Sequence, residues 1–180
     1  MSPDADVGAA EPVQVVDYDP AWPAAYERER GLIADALGDL MLGIEHVGST
    51  AVSGLGAKPV IDIMIAVSDL ADGEKCVRPL EGLGYEYKGE FGIPGRLYFR
   101  RFTEGRRSRQ IHMVEVGSDF WERHLLFRDY LRAHAQDARR YYELKLRLAA
   151  QFRDDRVGYT EAKTEFIRSA EAKARAAKTA

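Results

Sequence analysis

Residues 46–63, HVGSTAVSGLGAKPVIDI, decide how this chain is read. They lie within residues 44–67, where two apolar stretches flank a loop, so the segment reads as strand, loop, strand. Three glycines, three hydroxyls and Lys58 fall within eleven residues of it, from Gly48 to Lys58. Glycine lets backbone N–H groups turn toward an anion with no Cβ in the way, and hydroxyls add donors, so Gly48, Ser49 and Thr50 can hold a phosphate. The same composition also builds an ordinary glycine-rich turn. It is not a P-loop, because no Gly-Lys-Ser ending follows. Asp62 sits inside VIDIMIAV, a run apolar enough for a central strand, where an unpartnered carboxylate is costly. A magnesium ion shared with a nucleotide's phosphates would compensate it and serve a reaction, whereas a salt bridge to an arginine would compensate it and serve none. Lys58, at the mouth of this strand, can reach a phosphate or neutralise Asp62 directly.

Outward from this segment, residues 13–18 (VQVVDY) read as a short β-branched strand. Asp19 and Pro20 then offer a cap and first turn for a helix that carries Trp22, Tyr26, Ile33 and Leu37 near helical spacing and ends near Gly38. Residues 69–83 read as a helix, and residues 97–102 and 109–116 as strands that turn at Gly105. After Gly117 and Ser118 the spacing of Phe120, His124, Phe127 and Leu131 is helical, with Asp119 and Glu122 as a capping pair. Residues 137–152 and 160–174 continue that habit, and residues 171–180 read as a frayed tail.

On the strand through residues 110–116, alternation puts Gln110, His112 and Val114 on one face, which we assign to the side of Asp62. His112 is then an acid or base, or a metal ligand with Asp62; its plain alternative is a hydrogen-bonded core histidine. Just before the glycine turn, Glu45 and His46 can add a ligand or orient His112, or His46 can simply cap the loop. Six arginines lie between positions 96 and 109. Arg100, inside its strand, is assigned to an anionic substrate, while Arg106, Arg107 and Arg109 read as solvated surface. His124, on the apolar stripe of its helix, reads as packing.

The whole chain has 180 residues, 46% apolar and 31% charged, which suits one domain over residues 13–170 behind a disordered lead-in over 1–12. With 26 Lys plus Arg against 29 Asp plus Glu, the net charge of −3 provides no basic field, and no nucleic-acid-binding motif is present, so nucleic acid is not an expected partner. A single cysteine, Cys76, precludes an intrachain disulfide, and no Cys/His cluster has zinc spacing. No run approaches the roughly 20 apolar residues that cross a bilayer, and the first residues lack the form of a signal peptide. A cytoplasmic protein without a membrane partner is expected.

Residues 46–63, the opening DYDPAWPAAYERE (17–29), IHMVEVGS (111–118), WERHLLFRDYLRAH (121–134) and YTEAKTEFI (159–167) together resemble the GrpB family. The resemblance implies a nucleotidyltransferase-like fold: α/β, with a central mixed sheet flanked by helices and a helical C-terminal third. Relatives also occur fused behind dephospho-CoA kinase domains. In the wider nucleotidyltransferase superfamily a Gly-Ser pair lies under the nucleotide phosphates, and the next strand carries two acids one residue apart that share metal ions. Gly48 and Ser49 match the pair and Asp62 the first acid, but Met64 stands where the second belongs. A thioether is a poor ligand for magnesium, so the expected divalent metal is either magnesium or a softer transition metal held by Asp62 and His112. Lys163, in the closing block, is placed at the pocket rim. The expectation is a transferase for a nucleotide or other phosphorylated small molecule, with Asp62, His112 and Glu45 catalytic and Gly48, Ser49, Thr50, Lys58 and Arg100 holding substrate. The alternative is a binding or scaffolding domain that keeps the pocket and performs no chemistry.

Overall fold

A computed structural model describes residues 12–179. Strands β1 (Gly43–Val47), β2 (Ile61–Val67), β3 (Glu86–Tyr87), β4 (Arg96–Thr103) and β5 (Arg106–Glu115) form one sheet in the order β1-β2-β5-β4-β3. β2 and β5 run parallel and the other neighbours antiparallel, so the sheet is mixed, as expected.

Alternation gives the sheet two unlike faces. On one, Ile63, Ile65, Phe99, Ile111 and Met113 are wholly buried in a core closed by α1 (Trp22–Leu37), α2 (Leu70–Lys75) and α3 (Val77–Gly82). The other face carries Asp62 and Met64 of β2 beside Gln110 and His112 of β5. One end of it is covered by α4 (Asp119–Ala133), whose Phe120, Trp121 and Leu125 pack on Val47, Met64 and Val114. Helices α5 (Ala135–Gln151), α6 (Arg156–Glu161) and α7 (Thr164–Thr179) complete this second layer around Tyr130, Leu131, Tyr141 and Ala170. Among the described residues no helix is long and apolar enough to cross a membrane.

Several elements differ from the sequence expectation, each for a visible reason. Residues 13–18 make one bridge, Val16 with Ala57, because Val13 turns away to pack with Leu148 and Tyr159. The helix expected over 69–83 breaks at Cys76, since the ring of Pro79 would meet the carbonyl four residues earlier in a continuous helix. Ser118, not the Asp119–Glu122 pair, caps α4, its Oγ accepting from the Trp121 N–H. Helix α7 runs on through the expected frayed tail to Thr179, since Ala170, Glu171 and Ala174 are buried and Arg123 Nε holds Glu171 Oε2 at 3.0 Å. The lead-in expected over 1–12 lies, apart from Pro12, outside the described residues.

Gly56 is the point where the N-terminal segment, the 48–60 loop and α5 meet. A Cβ there would stand 2.2 Å from Tyr142 Cε2 and 2.6 Å from the Val16 carbonyl oxygen. Backbone cannot swing aside as a side-chain tip can, so Gly56→Ala is expected to cost about 1–3 kcal/mol. The urea midpoint should fall with an unchanged slope; a wild-type midpoint would refute this close packing.

Candidate functional site

β1 ends at Val47, and the chain turns at Gly48 (φ +72°) into a 3₁₀ turn, Ser49–Ala51. Glycine is required twice over, since a Cβ at 48 would also lie 2.6 Å from Asp62 Oδ2. Val47 pairs with Asp62 across the sheet, so the carboxylate stands directly beside the turn. His46 points to the opposite face, where its ring stacks on Tyr26 at 4.6 Å and its Nε2 lies 2.9 Å from Thr50 Oγ1. It caps the loop, and burial pushes its imidazole down to about 4.

The parallel register sets Asp62 opposite Gln110 and Met64 opposite His112, as the choice of face required. Asp62 Oδ1 accepts a hydrogen bond from the Gln110 amide and lies 3.4 Å from His112 Nε2. Arg96 Nη1 is 3.3 Å from His112 Nδ1. An arginine can only donate, so in the neutral ring Nδ1 accepts and Nε2 carries the hydrogen offered to Asp62. Burial pushes the Asp62 carboxyl up, but the bonds from His112 and Gln110 and the Lys58 charge win and hold it below the usual carboxylate range.

A cavity of about 380 Å³ opens in front of Asp62 and the turn, between the sheet and the helical layer. Gly48, Ser49, Thr50, Lys58 and Asp62 all line it. The structure adds cations that the sequence reading did not assign: Arg107 of β5, Lys145 of α5 and Arg156 of α6. Lys163, from the junction of α6 and α7, joins them, where the rim placement put it. Arg123 also lines the cavity but is held by Glu171. Lys145 is 2% exposed, and its Nζ donates to Ser49 Oγ at 2.9 Å and to the Gly56 carbonyl. Lys58 and Lys163 Nζ stand 5.3 Å and 4.2 Å from the centre of one ring, that of the buried Tyr159. Burial first, then neighbouring charge, Lys163 and Lys58 on Lys145 and Lys58 on Lys163, pushes Lys145 and Lys163 down to about 7, with Asp62 opposing. Burial and the Arg156 and Arg107 charges push Lys58 down to about 8. His124 lines the same wall rather than serving packing alone; its Nδ1 donates to the Phe120 carbonyl at 2.8 Å, and burial pushes it down to about 4.

Two expected site residues lie elsewhere. Arg100 shares the Asp62 face, but Glu86 sits opposite it on β3 and takes Nε at 2.7 Å, so a carboxylate on the neighbouring edge strand replaces the expected anion. Glu45 is held by Arg128 of α4 at 2.6 Å, which draws it away from His112. The supposed surface arginines also divide: Arg107 reaches the cavity, while Arg109 Nε lies 3.3 Å from the buried Glu29. Lys145 had a signal, because it falls four residues after Tyr141 and three before Leu148, inside the apolar stripe of its helix.

The residues present do not fit the divalent ion that the resemblance implies. Among the described residues Asp62 is the carboxylate beside the turn, the other acid on the cavity wall, Glu171, is held by Arg123, Met64 is wholly buried under α4, and in the neutral ring His112 Nε2 carries the hydrogen aimed at Asp62. No group of three His, Cys, Asp or Glu able to hold a metal occurs among the described residues.

The sheet, the glycine turn and the acid at its side define a nucleotidyltransferase-like fold. Cid1 in complex with its short product ApU superposes with a TM-score of 0.52 over 73% of this chain and 42% of that one, at 14% identity, a likeness of fold. The chain belongs to the GrpB protein family, which matches residues 12–173. The conserved protein GrpB from Enterococcus faecalis has a crystal structure that is 36% identical, with a TM-score of 0.81 over 89% of this chain and 96% of that one. UPF0157 protein YqkA of Bacillus subtilis is 38% identical over 91% of this chain, and UPF0157 protein PA4798 of Pseudomonas aeruginosa is 43% identical over 86%. The chain spans 47% and 64% of the lengths of those two proteins.

Because Lys145 titrates near 7 when folded against 10.5 ordinarily, the unfolded chain binds more protons between those values, and stability rises with pH across that window. It is lost as pH falls toward 7. Thermal unfolding of Lys145→Met should show a shallower rise from pH 7 to 9 than the wild type, by up to about 1.4 kcal/mol per pH unit. Parallel curves would show that Lys145 is charged in the fold.

Proposed function

We propose that this chain is a nucleotidyltransferase-like transferase acting on a nucleotide or another phosphorylated small molecule bound in the 380 Å³ cavity. The observation that carries this reading is the facing of Lys58, Lys145 and Lys163 onto a Gly-Ser turn with an ionised Asp62 beside it. The backbone of the turn and the lysines hold phosphate oxygens. In transfer, an acceptor hydroxyl oxygen bonds to the α-phosphorus, and pyrophosphate leaves with the electron pair of the broken P–O bond. The hydroxyl proton passes to Asp62. A carboxylate held below its ordinary value is a weak base, so its first task is to orient the hydroxyl, and it takes the proton late, once bonding to phosphorus has made that proton acidic. His112 and Gln110 fix the carboxylate for that contact.

A second reading, a domain that binds the ligand without turning it over, is favoured by one observation, the Met64 thioether where a second acid would stand.

Thermal shift against nucleoside triphosphates, phosphorylated metabolites and tripolyphosphate tests the shared part of both readings. A ligand at 100 times its Kd adds about 2.7 kcal/mol, roughly 5–10 °C for a chain of this size. Phosphorylated compounds should shift Tm and their dephosphorylated parents should not; silence from the whole set sinks the proposal. Transfer is then separated from binding by Asp62→Asn, which should keep the shift and lower pyrophosphate release by about a hundredfold or more. Equal release from both proteins would remove the catalytic role of Asp62.

A further inference from the structure

Lys58, Lys145 and Lys163 come from three separate places, the loop before β2, helix α5 and the junction of α6 and α7, and converge on one cavity. None of the three has a carboxylate within ion-pair distance among the described residues. Among the described residues their side-chain partners are neutral: Ser49 Oγ, the Gly56 carbonyl and the Tyr141 ring for Lys145, and the Tyr159 ring for the other two. Arg107 and Arg156 add positive charge to the same walls, Arg123 is offset by Glu171, His124 is neutral, and Asp62 is the acid that faces them. Like charges brought together in a half-closed space repel one another, and a bound polyanion relieves that repulsion. Beside Asp62 the place of the second acid is taken by Met64, buried under α4, and the neighbouring imidazole, His112, aims its Nε2 hydrogen at Asp62.

Resting on the proposed phosphorylated ligand, we propose that the cavity takes a polyphosphate as the metal-free anion, with Lys58, Lys145 and Lys163 supplying the countercharge that a carboxylate-held metal supplies elsewhere in this fold class. Magnesium then competes with the protein for the ligand, since it neutralises the oxygens that the lysines would bind. The substrate class is accordingly the uncomplexed di- or triphosphate, free or carried by a nucleoside.

The test is calorimetric titration of the whole chain with ATP and with tripolyphosphate, in EDTA and in excess magnesium. Binding in EDTA should be tighter, by about tenfold, because magnesium removes two of the ligand's charges. Binding at least tenfold weaker in EDTA overturns the proposal while leaving the phosphorylated-ligand reading intact. No binding in either medium overturns both. Lys163→Met and Lys58→Met, each checked for the wild-type circular dichroism spectrum, should lose affinity mainly in EDTA, so that the two media converge. An unchanged preference for EDTA in both variants also overturns the assignment. Two positions are used because Lys163 joins two helices and its loss could disturb them.

Discussion

The Asp62 carboxylate lies against the backbone of Gly48, so close that a Cβ at 48 would come within 2.6 Å of Oδ2. Two strands and a turn are fastened by that approach: Val47 pairs with Asp62, the chain leaves β1 at Gly48, and the 3₁₀ turn begins where the carboxylate already stands. The left-handed φ of Gly48 costs little without a side chain and would be strained with one. An acid inside an apolar strand therefore has one open side, toward the cavity, while His112 and Gln110 occupy its other approaches. The hydrogen of His112 is in turn directed by Arg96, which can only donate. From the arginine to the turn, each group's orientation is set by the next.

Against this acid the helical layer sets cations whose burial has a cost in the free protein. Lys145 is almost wholly enclosed and satisfied by two oxygens without charge, a poor substitute for water or a carboxylate. Such a group is destabilising in the free protein, the usual relation between a site's residues and the stability of the fold that holds them. The contrast with Glu29 is instructive. That acid is also buried, but Arg101, Arg109 and the Tyr85 hydroxyl surround it, and burial there closes a structural cluster under α1. Full compensation sets the structural charge of Glu29 apart from the cavity's lysines, which have no carboxylate within ion-pair distance among the described residues.

Much of this was legible in the sequence. The glycine turn, the buried acid and the His112 face all follow from residue type and period-2 alternation, which depend on near neighbours alone. The partners of Arg100 and Glu45 are not legible in the sequence, for the opposite reason. Their partners are Glu86, on a two-residue strand with no periodic signal, and Arg128, 83 residues away on a helix whose rotation no local pattern fixes. Arg107, beside a turn, looks solvated until the two layers are superposed, whereas Lys145 carries a local sign of burial in the apolar stripe of its helix. The break at Cys76 has its local cause in Pro79, whose ring does not allow the helix to run on from residue 69 to 83.

Met64 links the fold to the chemistry. It lies on the same face as Asp62, two residues along, yet it is wholly buried because α4 lays Phe120, Trp121 and Leu125 over it and over Val47 and Val114. A carboxylate at that position would point into this apolar cluster and not into the cavity. The lost acid and the packing of α4 are thus one feature, and restoring the acid alone would not restore a metal site. Closing that end of the face leaves the cavity beside the glycine turn, where Lys145 of α5, Arg156 of α6 and Lys163 between α6 and α7 line it. Positive charge on this side of the sheet therefore comes from the helical layer and from Lys58 at the mouth of β2.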